Sequence, residues 1–334
     1  MNAYFRKTPA QDPPAAQTCS DIGIILPSSF TLESGESLSK PELRVRIHGD
    51  AARPAVVVSG GISSGRAVAD EAAGPNGAKG WWREIVRRGG AVDLDRFCVI
   101  AFDFLPNPEE AARTISTLDQ ARAVAHALDV LNIRRLHGFV GASYGGMAAL
   151  AFAAAFPERL ARLCVISAAE RTHPAATAFR GVQRRVIEFA RANGDAQGGV
   201  ALARQLAMIT YRTPEEFEQR FDNTPSAGRD DPFEVDKYLV SRGEAFAMDA
   251  ERYLTLSASI DRHRADPSRI RAASLFIAVR SDRLVPAADI RRAAGAAPGA
   301  RFCEIESLYG HDAFLKETAA IGPIVEDFLK EQDQ

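Results

Sequence analysis

One pattern limits this chain more than any other. Short runs rich in Val, Ile, Leu and Phe alternate with longer segments of helical length. The strand candidates are "LRVRIH" (43–48), "AVVVSG" (55–60), "FCVIAFD" (97–103), "LHGFVG" (136–141), "LCVISAA" (163–169), "SLFIAVRSD" (274–282) and "FCEIES" (302–307). Most are near-continuously apolar, as strands covered on both faces should be. Between them lie "TLDQARAVAHALDVLNI" (117–133), "YGGMAALAFAAAFPERL" (144–160) and "ADIRRAAGAA" (288–297). Such alternation predicts an α/β fold with a mainly parallel sheet and helices on both sides. The 334 residues are ample for one such core carrying an insertion.

The rhythm breaks between residues 171 and 268, where the chain is charged, helical and free of strand runs. "TAFRGVQRRVIEFARANG" places Phe179, Val182, Val186, Phe189 and Ala190 on one stripe, with several arginines elsewhere. This segment is expected to be a helical lid, inserted after the strand "LCVISAA", over the C-terminal edge of the sheet. The core would then comprise residues 21–170 and 269–334. Residues 1–20, rich in Pro, Ala and Gln, are expected to be loosely ordered. They lack an apolar signal region, and no stretch approaches the ~20 apolar residues of a membrane span, so a cytoplasmic protein is expected. A net charge of −2 gives no basic surplus for nucleic acid or an anionic membrane. Cys19, Cys98, Cys164 and Cys303 are too scattered for a disulfide framework or a zinc site. No HExxH string occurs, and no metal is expected.

"HGFVGASYGGMAAL" (137–150) sets Ser143 between a strand and a helix, inside a G-x-S-x-G string. Alone the string is weak; the strand before it and the helix after it give it meaning. A serine on so sharp a turn needs small neighbours two residues away on each side, hence Gly141 and Gly145. Its hydroxyl would stand above the sheet, with the Tyr144 N–H at the helix start available to an oxyanion. A nucleophilic serine needs a base and an orienting acid. His48, His126, His137, His173 and His263 fall in strands, helices or polar insertion. His311, in "YGHDAFLKE", follows the last strand and can reach back over the sheet edge. Asp282, at the end of "SLFIAVRSD", is the favoured acid, with Glu170 its rival. The order Ser143, Asp282, His311 is that of α/β-hydrolase triads. A second oxyanion donor is expected at Gly61 or Ile62 in "VVVSGGISSG". A phosphate loop there is disfavoured, because neither Lys-Ser/Thr nor GxGxxG is present.

Several segments together resemble the homoserine O-acyltransferase family. "GGVALARQLAMITY" (198–211) is similar to its GLxLAR…TY segment, "GASYGGM" to its serine elbow, and "SDRLVP" (281–286) to the run at its acid. "GHDAFL" (310–315) matches its histidine segment unchanged, and residues 80–97 and 238–254 also look like family segments. The likeness spans roughly residues 40 to 330 and implies an acyl-CoA co-substrate, no further cofactor, and ping-pong transfer through an acyl-serine. The segments "GWW", "SYG" and "GHDAFLKE" resemble short bacterial members usually named homoserine O-succinyltransferase. The elbow departs from long members at Ala142 and Tyr144. Their glycine-rich loop after "FCVIAFD" is also missing, at the border of the site where acyl and amino-acid preference are set; succinyl is favoured over acetyl as the acyl group.

The residues carry a compatible reading of their own. At 100° per residue, Arg204 and Tyr211 share a helix face with Val200 and Ala207, while Leu202, Leu206 and Ile209 lie opposite and can pack. Arg204 with Tyr211 would clamp a carboxylate, and Asp312 could pair with an ammonium group. A fixed cation and a fixed anion beside a nucleophile suit a zwitterionic amino acid. A succinyl donor would want one more cation, and Arg283, Arg184 and Arg185 are candidates. Serine in place of homoserine, a plain esterase, and a silent binding protein stay open as rivals. Family members tend to dimerise through lid helices, which implies a homodimer here.

Overall fold

The structure, a computed structural model, describes residues 19–70, 79–110, 112–225 and 233–331. Among these residues eight strands form one sheet: β1 (Cys19–Ile25), β2 (Glu42–His48), β3 (Ala55–Ser59), β4 (Cys98–Phe102), β5 (Leu136–Ala142), β6 (Leu160–Ile166), β7 (Ala273–Val279) and β8 (Arg301–Ile305). Their spatial order is β1-β2-β4-β3-β5-β6-β7-β8. β2 is antiparallel to both β1 and β4, and every later pairing is parallel. The expected mainly parallel sheet is present, with an antiparallel edge that apolar runs alone do not reveal. β1 begins at Cys19, inside the segment expected to be loose; residues 1–18 lie outside the described residues. The strand is easily missed because Ile24 is its one buried residue; the rest are exposed or half-exposed.

All five residues of β3 and of β4 are buried, which is why both read as unbroken apolar runs. One face of the sheet packs Val57, Ile100, Phe139, Val165 and Phe276 against α1 (Thr117–Val130), α2 (Tyr144–Ala155) and their neighbours. The other packs Val58, Val99, Val140 and Ile277 against Ile321, Val325 and Phe328 near the C-terminus. Local chemistry sets the helix ends. Ser116 and Asp119 form a reciprocal capping box at the start of α1, the Ser116 Oγ accepting from the Asp119 N–H at 3.1 Å.

Among the described residues five α-helices lie between β6 and β7: α3 (Pro174–Ala192), α4 (Ala196–Tyr211), α5 (Pro214–Arg220), α6 (Glu234–Glu244) and α7 (Ala250–Arg262). They have a small core of their own, made of Ile187, Val200, Ala203, Ala250 and Tyr253. The buried face of α4 is Val200, Ala203, Ala207 and Met208. The expectation that Leu202 and Ile209 pack is therefore wrong: they are 55% and 48% exposed. The physical reason is that α4 packs α3 with its small residues, through which two helix axes can approach closely. After β7 come α8 (Ala287–Ala296), α9 (Ala313–Lys316) and α10 (Thr318–Lys330). Among the described residues no helix is long and apolar enough to cross a membrane. The four cysteines are free; Cys98 and Cys164 are buried, as small apolar residues would be.

Candidate active site

β5 ends at Ala142 and α2 begins at Tyr144, so Ser143 is the single residue of the turn. Its backbone sits at φ 54° and ψ −122°, a conformation that costs an L residue roughly 1–3 kcal/mol. The surroundings hold it there. Its N–H donates to the Ile166 carbonyl at 2.9 Å, and the Gly145 N–H donates to the Gly60 carbonyl at 2.7 Å. The flanking glycines are sterically required. A Cβ on Gly141 would lie 2.4 Å from the Gly145 carbonyl oxygen, and one on Gly145 would lie 2.4 Å from that of Ser59.

His311 reaches this turn from the loop after β8. The Ser143 Oγ lies 2.8 Å from its Nε2, and its Nδ1 lies 2.7 Å from the Asp282 Oδ2. Asp282 does not end a strand, as expected, but stands three residues beyond β7, in a turn closed by its N–H on the Val279 carbonyl. There its Oδ1 accepts from the N–H groups of Leu284 and Val285, both at 2.9 Å. These bonds fix the carboxylate plane, so that Oδ2 points at the imidazole. With Nδ1–H donating to Asp282, Nε2 is left as an acceptor for the serine proton. Burial lowers the His311 pKa, but the charge and hydrogen bond of Asp282, helped by Asp312, outweigh it and leave the value raised.

The rival acid is excluded by position: Glu170 pairs with Arg292 at 2.9 Å. The other histidines have structural partners. His48, His126 and His137 meet backbone carbonyls, His173 caps α3, and His263 bonds Thr117 at 2.7 Å.

One cavity opens over Ser143 and His311. Gly61, Ile62 and Tyr144 line it, and so do Arg204, Tyr211 and Asp312. Tyr144 is the first residue of α2, so its N–H has no carbonyl to bond within that helix. Its side chain is occupied elsewhere, the hydroxyl 2.7 Å from the Ser259 Oγ of α7. Arg204 and Tyr211 do not stand side by side as two free arms. The guanidinium lies over the Tyr211 ring at 5.4 Å and over Phe246 at 4.7 Å, a support that fixes the cation. Asp312 already has a neighbour that the sequence did not suggest: its Oδ2 is 3.6 Å from the Nε of Arg212, at the end of α4.

The three extra cation candidates fare differently. Arg283 lines a separate hollow with Arg280 and Ser307, and Arg185 lines an outer groove of α3, so neither borders the serine cavity. Arg184 is engaged by Asp261 at 2.7 Å and by the Ser257 hydroxyl at 3.0 Å. Besides Arg204, the arginine that lines the cavity is Arg180, which sequence reading passed over. The available signal was its place one residue after Phe179 and one turn before Arg184, on a helix due to cover the site.

A family model described as the alpha/beta hydrolase fold matches residues 72–318. A homoserine O-succinyltransferase of Xanthomonas campestris pv. campestris is 40% identical over 333 aligned positions, covering 97% of this chain and 87% of that protein. A homoserine O-acetyltransferase of Thermus thermophilus is 36% identical, covering 76% of this chain and 73% of the other. A crystal structure of homoserine O-acetyltransferase from Bacillus anthracis superposes with a TM-score of 0.84 at 17% identity, over 96% of this chain and 99% of that one. At that identity the superposition shows the fold alone.

Proposed function

Because this chain belongs to the homoserine O-acyltransferase family of the α/β-hydrolase fold, we propose that it transfers an acyl group from acyl-CoA to the side-chain hydroxyl of L-homoserine. The observation that carries the reading is a single cavity. Ser143 and His311, the latter held from behind by Asp282, line it, and so do Arg204 and Asp312, of opposite charge.

In this reading the Ser143 Oγ gives its proton to the His311 Nε2 and attacks the thioester carbonyl. The oxyanion is held by the N–H of Tyr144 and by a second N–H from Gly61 or Ile62. The C–S bond breaks, the CoA sulfur takes the proton from His311, and an acyl-serine remains. Homoserine then enters, its carboxylate on Arg204 and Tyr211 and its ammonium on Asp312. His311 accepts the proton of the homoserine hydroxyl as that oxygen attacks the ester. The C–O bond to Ser143 breaks, Ser143 recovers the proton, and the O-acyl product leaves. Asp282 keeps the imidazole in the required tautomer throughout and stabilises the imidazolium. The chemistry needs no cofactor beyond the acyl-CoA co-substrate, and the product is of the kind that feeds methionine synthesis. In this reading water is disfavoured by helices α3, α4 and α7, whose residues line the cavity beside Ser143.

Succinyl is the favoured acyl group over acetyl, in keeping with the most extensive match above, which spans 97% of the chain. A homodimer through the lid helices accompanies this reading. Val182, Phe189 and Leu202, on α3 and α4, are 42%, 75% and 55% exposed and border one outer groove, an apolar patch that a second copy would cover.

The test is a thiol-release assay with succinyl-CoA and acetyl-CoA, each crossed with homoserine, serine and no acceptor. Release that depends on homoserine supports transfer. Equal release with no acceptor would make the chain a hydrolase, and release with serine alone would move the assignment by one methylene.

A further inference from the structure

The cavity holds a guanidinium that the mechanism above does not use. Arg180, on α3, donates from Nε to the Asp261 Oδ1 at 2.7 Å. Arg184, one turn along, takes the other oxygen of the same carboxylate at 2.7 Å. Two guanidinium groups thus share one anion, which leaves a surplus positive charge on this wall. Arg184 spends a further N–H on Ser257. Arg180 differs: its Nη2 is buried and has no hydrogen-bond partner. A buried charged donor without an acceptor is costly, and native proteins rarely keep one without a use. The charge of Arg180 also opposes, in the smaller part, the upward pull of the two aspartates on the His311 pKa.

Arg204 is supported separately, by Tyr211 and Phe246. The cavity therefore offers two cations held by different partners, where an acetyl donor and an amino acid would bring one carboxylate. We propose that Arg180 binds the distal carboxylate of an ω-carboxyacyl group carried on Ser143, and so selects succinyl-type donors over acetyl. This inference deepens the acyltransferase reading and rests on it for the nucleophile. The chemistry is recognition only: a planar fork clamped by Asp261 presents its free edge to a carboxylate.

The test compares wild type with Arg180→Gln and Arg180→Lys in two assays. The first measures kcat/KM for CoA release from succinyl-CoA and from acetyl-CoA with homoserine present. The second omits CoA and acceptor, and follows the nitrophenol burst as Ser143 is acylated by 4-nitrophenyl hemisuccinate or 4-nitrophenyl acetate. The succinyl-to-acetyl ratio is expected to fall roughly 10- to 100-fold in Arg180→Gln, the range for losing a charged hydrogen bond. In Arg180→Lys, which keeps the charge but loses the fork, it should fall less. The Lys variant carries the test if the Gln variant unfolds. A ratio that stays within about twofold of wild type in a folded variant overturns the proposal, while homoserine-dependent release would leave the transferase reading intact. Conversely, a hemisuccinate burst that depends on Arg180, in a chain that uses neither CoA ester, upholds Arg180 and removes the acyl-CoA reading.

Discussion

His311 Nε2 lies 2.8 Å from the Ser143 Oγ, although 168 positions separate the two in the chain. The contact depends on a third residue. The imidazole is held by one carboxylate oxygen of Asp282, whose other oxygen is fixed by two backbone N–H groups. Asp282→Asn preserves the shape but presents an amide to Nδ1 and favours the wrong tautomer. Turnover with either CoA donor is expected to drop on the order of 10⁴-fold, with the folded state retained by circular dichroism. Loss of less than about tenfold would mean that Asp282 does not orient the base.

The raised pKa of His311 sets a pH dependence. Nε2 can accept a proton only when the imidazole is neutral, so kcat/KM should climb as pH rises through the raised value. The midpoint of that limb is expected above 6.5, the ordinary histidine value. The groups that set it are Asp282 and Asp312, which favour the charged ring, with burial and Arg180 opposing them. Removing the charge of Asp312 as Asp312→Asn should therefore move the limb to lower pH. A pH profile of CoA release reads both, and a midpoint below 6.5 in the wild type contradicts the assignment.

Arg204 is expected to act on the acceptor. Arg204→Met keeps a straight apolar stem over Phe246 and Tyr211 but removes the charge that the amino-acid carboxylate would meet. The KM for homoserine should rise roughly 10- to 100-fold, the range for losing a charged hydrogen bond, and by more than any change in the KM for the acyl donor. Initial rates with each substrate varied in turn separate the two. A larger effect on the donor would assign Arg204 to the acyl or CoA side.

Sequence disclosed those parts of the molecule whose chemistry leaves a local signature. The strain at Ser143 demands Gly141 and Gly145 within two residues, so the elbow could be read from seven letters. β3 and β4 could be read because burial on both faces makes every residue apolar. β1 could not, since an edge strand with one buried residue has almost no pattern to show. Side-chain partnerships across elements were equally hidden. Nothing in the sequence singles out Arg180 or sets Arg184 apart from the neighbouring Arg185, and only the fold reveals that α7 brings Asp261 against both Arg180 and Arg184. The same holds for Arg212 beside Asp312, two residues 100 positions apart that meet because the histidine loop crosses the end of α4. Helical periodicity placed Leu202 and Ile209 on a common face but could not say whether that face turned inward.

That outward face yields the last prediction. On α3 and α4 Phe189 is 75% exposed and Leu202 55%, and the same groove has Val182 and Val186 in its wall. Large aliphatic and aromatic side chains left in water forgo roughly 1.5–3 kcal/mol each relative to burial. If two copies cover the groove with each other, the wild-type chain should sediment as a dimer at micromolar concentration. Phe189→Glu would then set like charges against each other across a two-fold interface and shift the species to monomer. The double variant Phe189→Glu, Leu202→Lys should recover part of the dimer where the two positions face one another across the axis. Analytical ultracentrifugation distinguishes the outcomes. A wild-type monomer at these concentrations would show that the exposed face of the lid is not a self-association surface. A dimer unaffected by Phe189→Glu would place the interface elsewhere.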